Sequence, residues 1–182
     1  LNAKVSAVVL GKGAKTKVAD YFAYGAEKVY WSENDAFSDF YADVYADALS
    51  QIANAHNPDI ILIGSTRRGK ELAARLAYKQ NAGCMTDATG IELKDNELVV
   101  NRYTLGGNTV SCEVLNTAIK VISVLPKAFE KGAKTTGTGE AVEGAITPKE
   151  PKTRIVEQKA KAGDVVSLED AQSLVCIGRG LN

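Results

Sequence analysis

Residues 59–63 read DIILI and stop at Gly64. A continuous apolar run of this kind suits a central parallel strand covered on both faces. Such a strand needs helices against it and crossovers that return the chain to its neighbours. The flanking residues supply both. Residues 4–10, KVSAVVL, form a short apolar run that ends at Gly11, which predicts a first strand. Residues 15–24 follow with Val18, Ala19 and Phe22 on one helical face and a stop at Gly25, and residues 28–31 read as a second strand.

The helix before the DIILI strand is expected to start at Ser38 as its cap, with Asp39 in the first turn, where the helix dipole favours a carboxylate. Phe40, Tyr41, Val44, Tyr45, Ala48, Leu49 and Ile52 recur at three- and four-residue spacing, so its apolar face lies on a core. Asn57-Pro58 ends it, because the residue before proline avoids helical geometry. A third helix, residues 68–79, sets Glu71, Arg75 and Lys79 as an i, i+4 ladder opposite Leu72 and Leu76. Strand and helix alternate three times, which argues for an α/β fold with a parallel sheet and right-handed crossovers.

Beyond Gly83 the period changes. Residues 91–93, 98–103, 110–114 and 119–124 read as short strands, with turn signals at Asp95-Asn96 and Gly106-Gly107-Asn108. Antiparallel strands added to the sheet edge account for them. Residues 131–150 are rich in Gly, Thr, Lys and Glu and are expected to be an exposed loop or linker. Residues 153–158 suggest one more extended strand. Ser167-Leu168-Glu169-Asp170 has capping-box spacing, residues 174–177 read as a strand, and Gly178-Arg179-Gly180 as a glycine turn. These would be the first pieces of a further α/β unit, cut short at Asn182.

Composition closes off several classes. Lys+Arg and Asp+Glu both number 22, so the whole chain carries no electrostatic footprint of a nucleic-acid or membrane-surface binder. No apolar run approaches a membrane span, and the first ten residues lack the basic flank of a signal peptide. Cys84, Cys112 and Cys176 are odd in number and far apart, which fits reduced thiols and a cytoplasmic setting. With His56 the single histidine, neither a metal cluster nor a Ser-His-Asp or Cys-His arrangement is expected. The first residue is Leu, which leaves the native start open.

Two glycine-bearing loops follow strands. Gly11-Lys12-Gly13-Ala14-Lys15-Thr16 is in the right place for a phosphate cradle, yet Ala14 stands where a Walker loop needs glycine, and a structural turn is the better reading. Gly64-Ser65-Thr66-Arg67 combines a strand's carboxyl end, two hydroxyls and a helix start, with Arg68 and Lys70 nearby. Ligands of open α/β sheets bind at that edge, and Arg67 or Lys70 could neutralise a phosphate there. Equally, Ser65 or Thr66 is a plain helix cap and the cations are solvated. Thr86-Asp87 follows another strand end and could face the same crevice, or Asp87 could be a turn residue. His56 reads as a helix-terminal or surface residue.

Taken in order, GSTRRGKELAARLA from Gly64, CMTDATGIEL from Cys84, YTLGGN from Tyr103, ISVLPKAFE from Ile122 and LEDAQSLVCIGRGL from Leu168 resemble the electron-transfer flavoprotein α-subunit family. The resemblance implies a three-layer Rossmann-like domain akin to adenine-nucleotide α-hydrolases, with antiparallel edge strands added. It divides the chain into an amino-terminal-like domain over residues 1–130, a loop and extended segment over 131–166, and a truncated start of an FAD-domain-like unit over 167–182. It also implies a heterodimer with a β subunit that carries AMP, and FAD held mainly by a carboxyl-terminal α domain that is missing here or separately encoded. Electrons would pass from dehydrogenases to a quinone reductase or another acceptor. Arg179, within Gly178-Arg179-Gly180, matches an arginine close to the FAD. Ser65, Thr66, Thr86 and Asp87 match the crevice region, better known in the family for subunit packing. The leading expectation is a scaffolding and docking subunit, an electron carrier and not a catalyst on its own. A stand-alone module binding AMP or another adenine nucleotide is the second reading, and a homodimer formed through the β-rich half is the third.

Overall fold

A computed structural model describes residues 3–159 and 171–180. The chain divides into two compact units, the first ending at Lys152 and the second starting at Thr153. In the first, β1 (Ser6–Leu10), α1 (Ala14–Ala23) and β2 (Lys28–Ser32) are followed by a 3-10 turn (Asp35–Phe37), α2 (Ala42–His56), β3 (Ile60–Gly64) and α3 (Arg67–Gln80). Then come β4 (Gly83–Lys94), β5 (Glu97–Thr104), a second 3-10 turn (Leu105–Gly107), β6 (Thr109–Val114), β7 (Lys120–Val124) and β8 (Glu140–Glu143). The architecture is the expected Rossmann-like α/β type.

The strands form two sheets, ordered β1-β2-β8 and β3-β7-β4-β5-β6. All pairings in the first are parallel. In the second, β7 lies parallel to β3 and β4, while β4, β5 and β6 run antiparallel as an added meander. The DIILI run does not stand at the centre of a covered sheet as its pattern suggests: β3 is the edge strand of the second sheet, paired to β7 alone, and Leu62 is exposed, while β1 pairs through its whole register with β2 in the first.

β4 is the strand that changes partner. It runs parallel to β7 at Gly83, Cys84 and Met85, shifts register before Ala88, and pairs antiparallel with β5 from Ala88 onward. Asp87 lies in the shift with φ +60°, a conformation that costs a non-glycine residue about 1 kcal/mol. Asp95 and Asn96 both adopt positive φ and close the β4–β5 hairpin, as their sequence signalled.

Four buried clusters support the elements. Val18, Ala26 and Val29 fasten α1 to the first sheet, and Phe37, Val44 and Ala48 seat α2. Ala73 and Ala77 of α3 lie on Val121 of β7, their small side chains permitting close approach. Met85, Ala88, Leu98, Val100 and Ile122 fill the space beneath β4, β5 and β7. Complete burial of Ile122 alone contributes about 1.5–3 kcal/mol of apolar transfer.

Several local expectations are corrected. Ser38 does not start α2; it closes the preceding 3-10 turn, and Tyr41 stands at the cap position. Asn34 accepts the Ala36 N–H at 3.0 Å, and the Tyr45 hydroxyl donates to the Phe37 carbonyl at 2.9 Å, so the chain is already committed to a tighter turn there. Residues 131–150 are not wholly loop, because Glu140–Glu143 adds β8 to β2. Its amides find partners on the way, Glu140 N–H bonding the Glu27 carbonyl, while Lys28 pairs Glu140 at 2.7 Å. In the second unit residues 153–158 and 174–177 form no strand; Val156, Leu174, Val175 and Ile177 are exposed, without the covered face that a strand of this kind needs. Ser167 to Asp170 lies outside the described residues.

The charge ladder on α3 is also only half formed. Arg75 pairs Glu71 at 2.8 Å, whereas Lys79 turns away from Arg75 to reach Asp47 of α2 at 3.1 Å. Asp47 is buried and also takes Lys149 at 2.8 Å and the Gln51 amide at 2.9 Å. Burial disfavours its charge, but Lys149, Gln51 and Lys79 outweigh that and hold its pKa down at about 2, against an ordinary 3.8. A carboxylate depressed on folding stabilises above its unfolded pKa and loses that contribution as pH falls through the folded value. Asp47→Asn should therefore lower stability by about 1–2 kcal/mol at pH 7, with exposed Lys149 reducing the full linkage value. Denaturant titrations at stepped pH should show the gap from wild type closing between about 4 and 2.

Candidate functional site

β3 ends at Gly64 beside Val124 of β7, and the Ser65 N–H bonds the Val124 carbonyl at 2.8 Å. Thr66 then caps α3, its hydroxyl accepting the Gly69 N–H at 3.0 Å. Residue by residue, the sequence Gly64-Ser65-Thr66-Arg67 is strand end, buried hydroxyl, cap and exposed first helical residue. Gly69 is buried under this turn, where an added Cβ would collide with the Gly64 carbonyl oxygen.

Ser65 joins Asp87 and Ser123 in a closed ring of hydrogen bonds. The Ser65 hydroxyl donates to Asp87 Oδ1 at 2.7 Å, and the Asp87 N–H donates to Ser123 Oγ at 3.3 Å. The two serine oxygens are 3.0 Å apart. Because the single Ser65 proton goes to Asp87, the Ser123 hydroxyl donates to Ser65. Lys70, one turn into α3, takes Asp87 Oδ2 at 2.8 Å. Burial works against the Asp87 charge, yet Lys70 and Ser65, with Arg102 nearby, hold its carboxyl below the ordinary 3.8.

This geometry brings Ser65 and Asp87 together, with Thr66 beside them as a cap, and adds Lys70 and Ser123. Thr86 precedes Asp87 on β4, and Arg67 is exposed. The ring contains an ionised carboxylate with both oxygens occupied and two hydroxyls bonded to each other. It holds three strand ends together, and its hydroxyls and carboxylate are bonded within the protein. Ser123 was invisible as a site residue because its partner Ser65 is 58 positions away. The only local hint was a serine inside the apolar run of β7.

The other loop is filled as well. Gly13 caps α1, and the Lys15 N–H at the helix start donates to Glu33 Oε1 at 3.0 Å, placing a protein carboxylate where a phosphate would sit. Gly11 and Gly13 belong with the first sheet, whereas Ser65 and Asp87 belong with the second. His56 ends α2 and stacks on Tyr30 with ring centroids 4.3 Å apart. Gly178, Arg179 and Gly180 form an exposed turn in the second unit.

The fold and the strand-end ring define a Rossmann-like α/β domain. The family described as the electron transfer flavoprotein domain matches residues 1–171, and this chain belongs to that family. It is 30% identical to electron transfer flavoprotein subunit alpha of Thermoanaerobacterium thermosaccharolyticum, covering 97% of this chain and 55% of that protein. Subunit alpha of Megasphaera elsdenii is 29% identical over 98% of the chain, and protein FixB of Clostridium saccharobutylicum is 29% identical over 100% of it. The chain thus spans about half the length of these relatives, 55% of each.

Two substitutions probe the ring. Ser123→Ala leaves the Asp87 N–H and the Ser65 oxygen short of a partner, and should cost about 1–3 kcal/mol by urea unfolding. Gly69→Ala forces the Cβ against the Gly64 carbonyl and should cost at least about 1–3 kcal/mol in the same measurement, despite alanine's higher helix propensity.

Proposed function

We propose that this chain is an electron transfer flavoprotein α-like subunit, the scaffolding and docking part of a flavin-dependent complex with a β-type partner. The family match over residues 1–171 carries the reading. The closed Ser65–Asp87–Ser123 ring supports its scaffolding half, because those residues spend their hydrogen bonds on one another. Gly64, Thr66, Arg67 and Thr86 lie at the same strand end and shape the surface that this reading gives to a cofactor or a partner subunit. The same satisfaction counts against the alternative of a stand-alone AMP-binding module at this crevice.

FAD would supply the redox chemistry of the assembled complex, while protein groups position it and tune its electrostatics. Arg179 fits that task from this chain: it is exposed between Gly178 and Gly180, and its permanent charge suits a phosphate or a reduced flavin edge. These three residues can form one edge of a cofactor site, with the rest contributed by a further FAD-binding segment. Dehydrogenases and a quinone reductase are the corresponding classes of redox partner. The setting is cytoplasmic in this reading; no helix among the described residues is long and apolar enough to cross a membrane.

Visible absorption of the natively purified protein, before and after its co-eluting partners are removed, tests the assignment. Flavin absorption should accompany the complex and leave with the partner that holds most of the FAD. A preparation that stays colourless with FAD and a β-type subunit added would remove the electron-transfer role.

A further inference from the structure

β5 and β6 are joined through Leu105, Gly106 and Gly107, all with positive φ, at +51°, +69° and +91°. This connection borders a cleft of about 490 Å³ whose other walls include Lys70, Asp87, Arg102, Tyr103 and Leu125. We propose that the cleft is a binding site for a small oxyanion, the phosphate or carboxylate group of a small organic molecule, with Arg102 as its principal contact.

Arg102 carries the inference. It sits on β5 between Ala88 of β4 and Ser111 of β6, and its Nε is buried with no hydrogen-bond partner among the described residues. Arginine cannot escape this by losing its proton, so a charged donor is left unsatisfied within the sheet. Asp87, the carboxylate on the same cleft, is bonded to Ser65 through one oxygen and to Lys70 through the other, and acts on Arg102 by its charge alone. Two cations and one anion line the cleft, so one positive charge remains. The planar Nε–Nη edge of a guanidinium matches the two oxygens of a carboxylate or phosphate, which is the chemistry that would satisfy it.

The surrounding walls suit an organic body attached to that anion. Tyr103 is 52% exposed and Leu105 77% exposed, giving an aromatic and an aliphatic surface next to the charge. A Cβ placed on Gly106 or Gly107 would meet nothing within 4 Å, so the connection leaves space for a ligand to approach its backbone. Leu105 holds a left-handed conformation that disfavours a side chain, and strain of this type concentrates where a ligand is clamped. The cleft borders the hydrogen-bond ring through Lys70 and Asp87 but takes its unpaired donor from Arg102, and it does not depend on the electron-transfer reading.

The test is an NMR titration of the whole isotopically labelled chain with inorganic phosphate in one arm and succinate in the other, against chloride at matched ionic strength. Saturable shifts of the Gly106 and Gly107 amides and of the Arg102 Nε–H are expected in at least one arm, and the responding arm identifies the anion. Arg102→Gln should weaken binding by roughly tenfold or more, and Arg102→Lys, which keeps the charge but loses the fork, by a smaller factor. Should Arg102→Gln fail to fold, Arg102→Lys and the wild-type Nε–H resonance still decide the matter. Shifts no larger than those in chloride, or shifts unchanged by the arginine substitutions, would overturn the site. Since no flavin is present, this result stands apart from the absorption experiment.

Discussion

Ser123 is wholly buried in the middle strand of three, and a hydroxyl in that position has to find a partner. Its partners are Ser65 at the end of β3 and the Asp87 amide in the irregular part of β4. That requirement explains much of the surrounding geometry. Asp87 turns through positive φ so that its N–H and its carboxylate can both enter the ring. The register shift in β4 follows at the same place, and beyond it the strand leaves β7's parallel ladder for the antiparallel meander. Lys70 then ties the first turn of α3 to the ring through the outer oxygen of Asp87.

The parts of the fold that were legible in the sequence are those whose cause is local. Apolar runs ending at glycine marked β1 and β3 as strands, and Asp95-Asn96 marked its hairpin, because strand and turn conformation leave direct traces in residue choice; the place of β3 at a sheet edge, with Leu62 exposed, left none. β8 left no such trace: of its four residues only Val142 is partly buried, and its place is fixed by the ladder with β2. Ser38 carried a genuine capping signature that lost to bonds made by Asn34 and Tyr45. At the site, strand-end position pointed to Ser65 and Asp87 but not to Ser123, and an arginine in an alternating strand looks like any solvated residue. Arg102 becomes distinctive only when its missing partner is seen in three dimensions.

Between the two sheets, α2 and α3 form the principal link. Asp47, buried on α2, gathers Lys79 from α3 and Lys149 from the chain beyond β8. Gln80 of α3 adds a bond to the Ser50 hydroxyl at 2.7 Å, and Gln51 bonds the Thr147 carbonyl at 2.9 Å. The pieces are thus joined by polar side chains on helices, and the family membership rests on a scaffold whose cohesion is distributed in this way.

The return of the chain to β2 has a bearing on how the protein is made. The first sheet is begun by residues 6–32 and receives its third strand only from residues 140–143, after the whole second sheet has been laid down. Contacts this distant in sequence form late and slow a fold that depends on them. On the ribosome the first two strands must wait, with one edge of β2 uncovered, until the meander and β7 have emerged. Assembly is therefore nested: the inner sheet can close while the outer one is still incomplete.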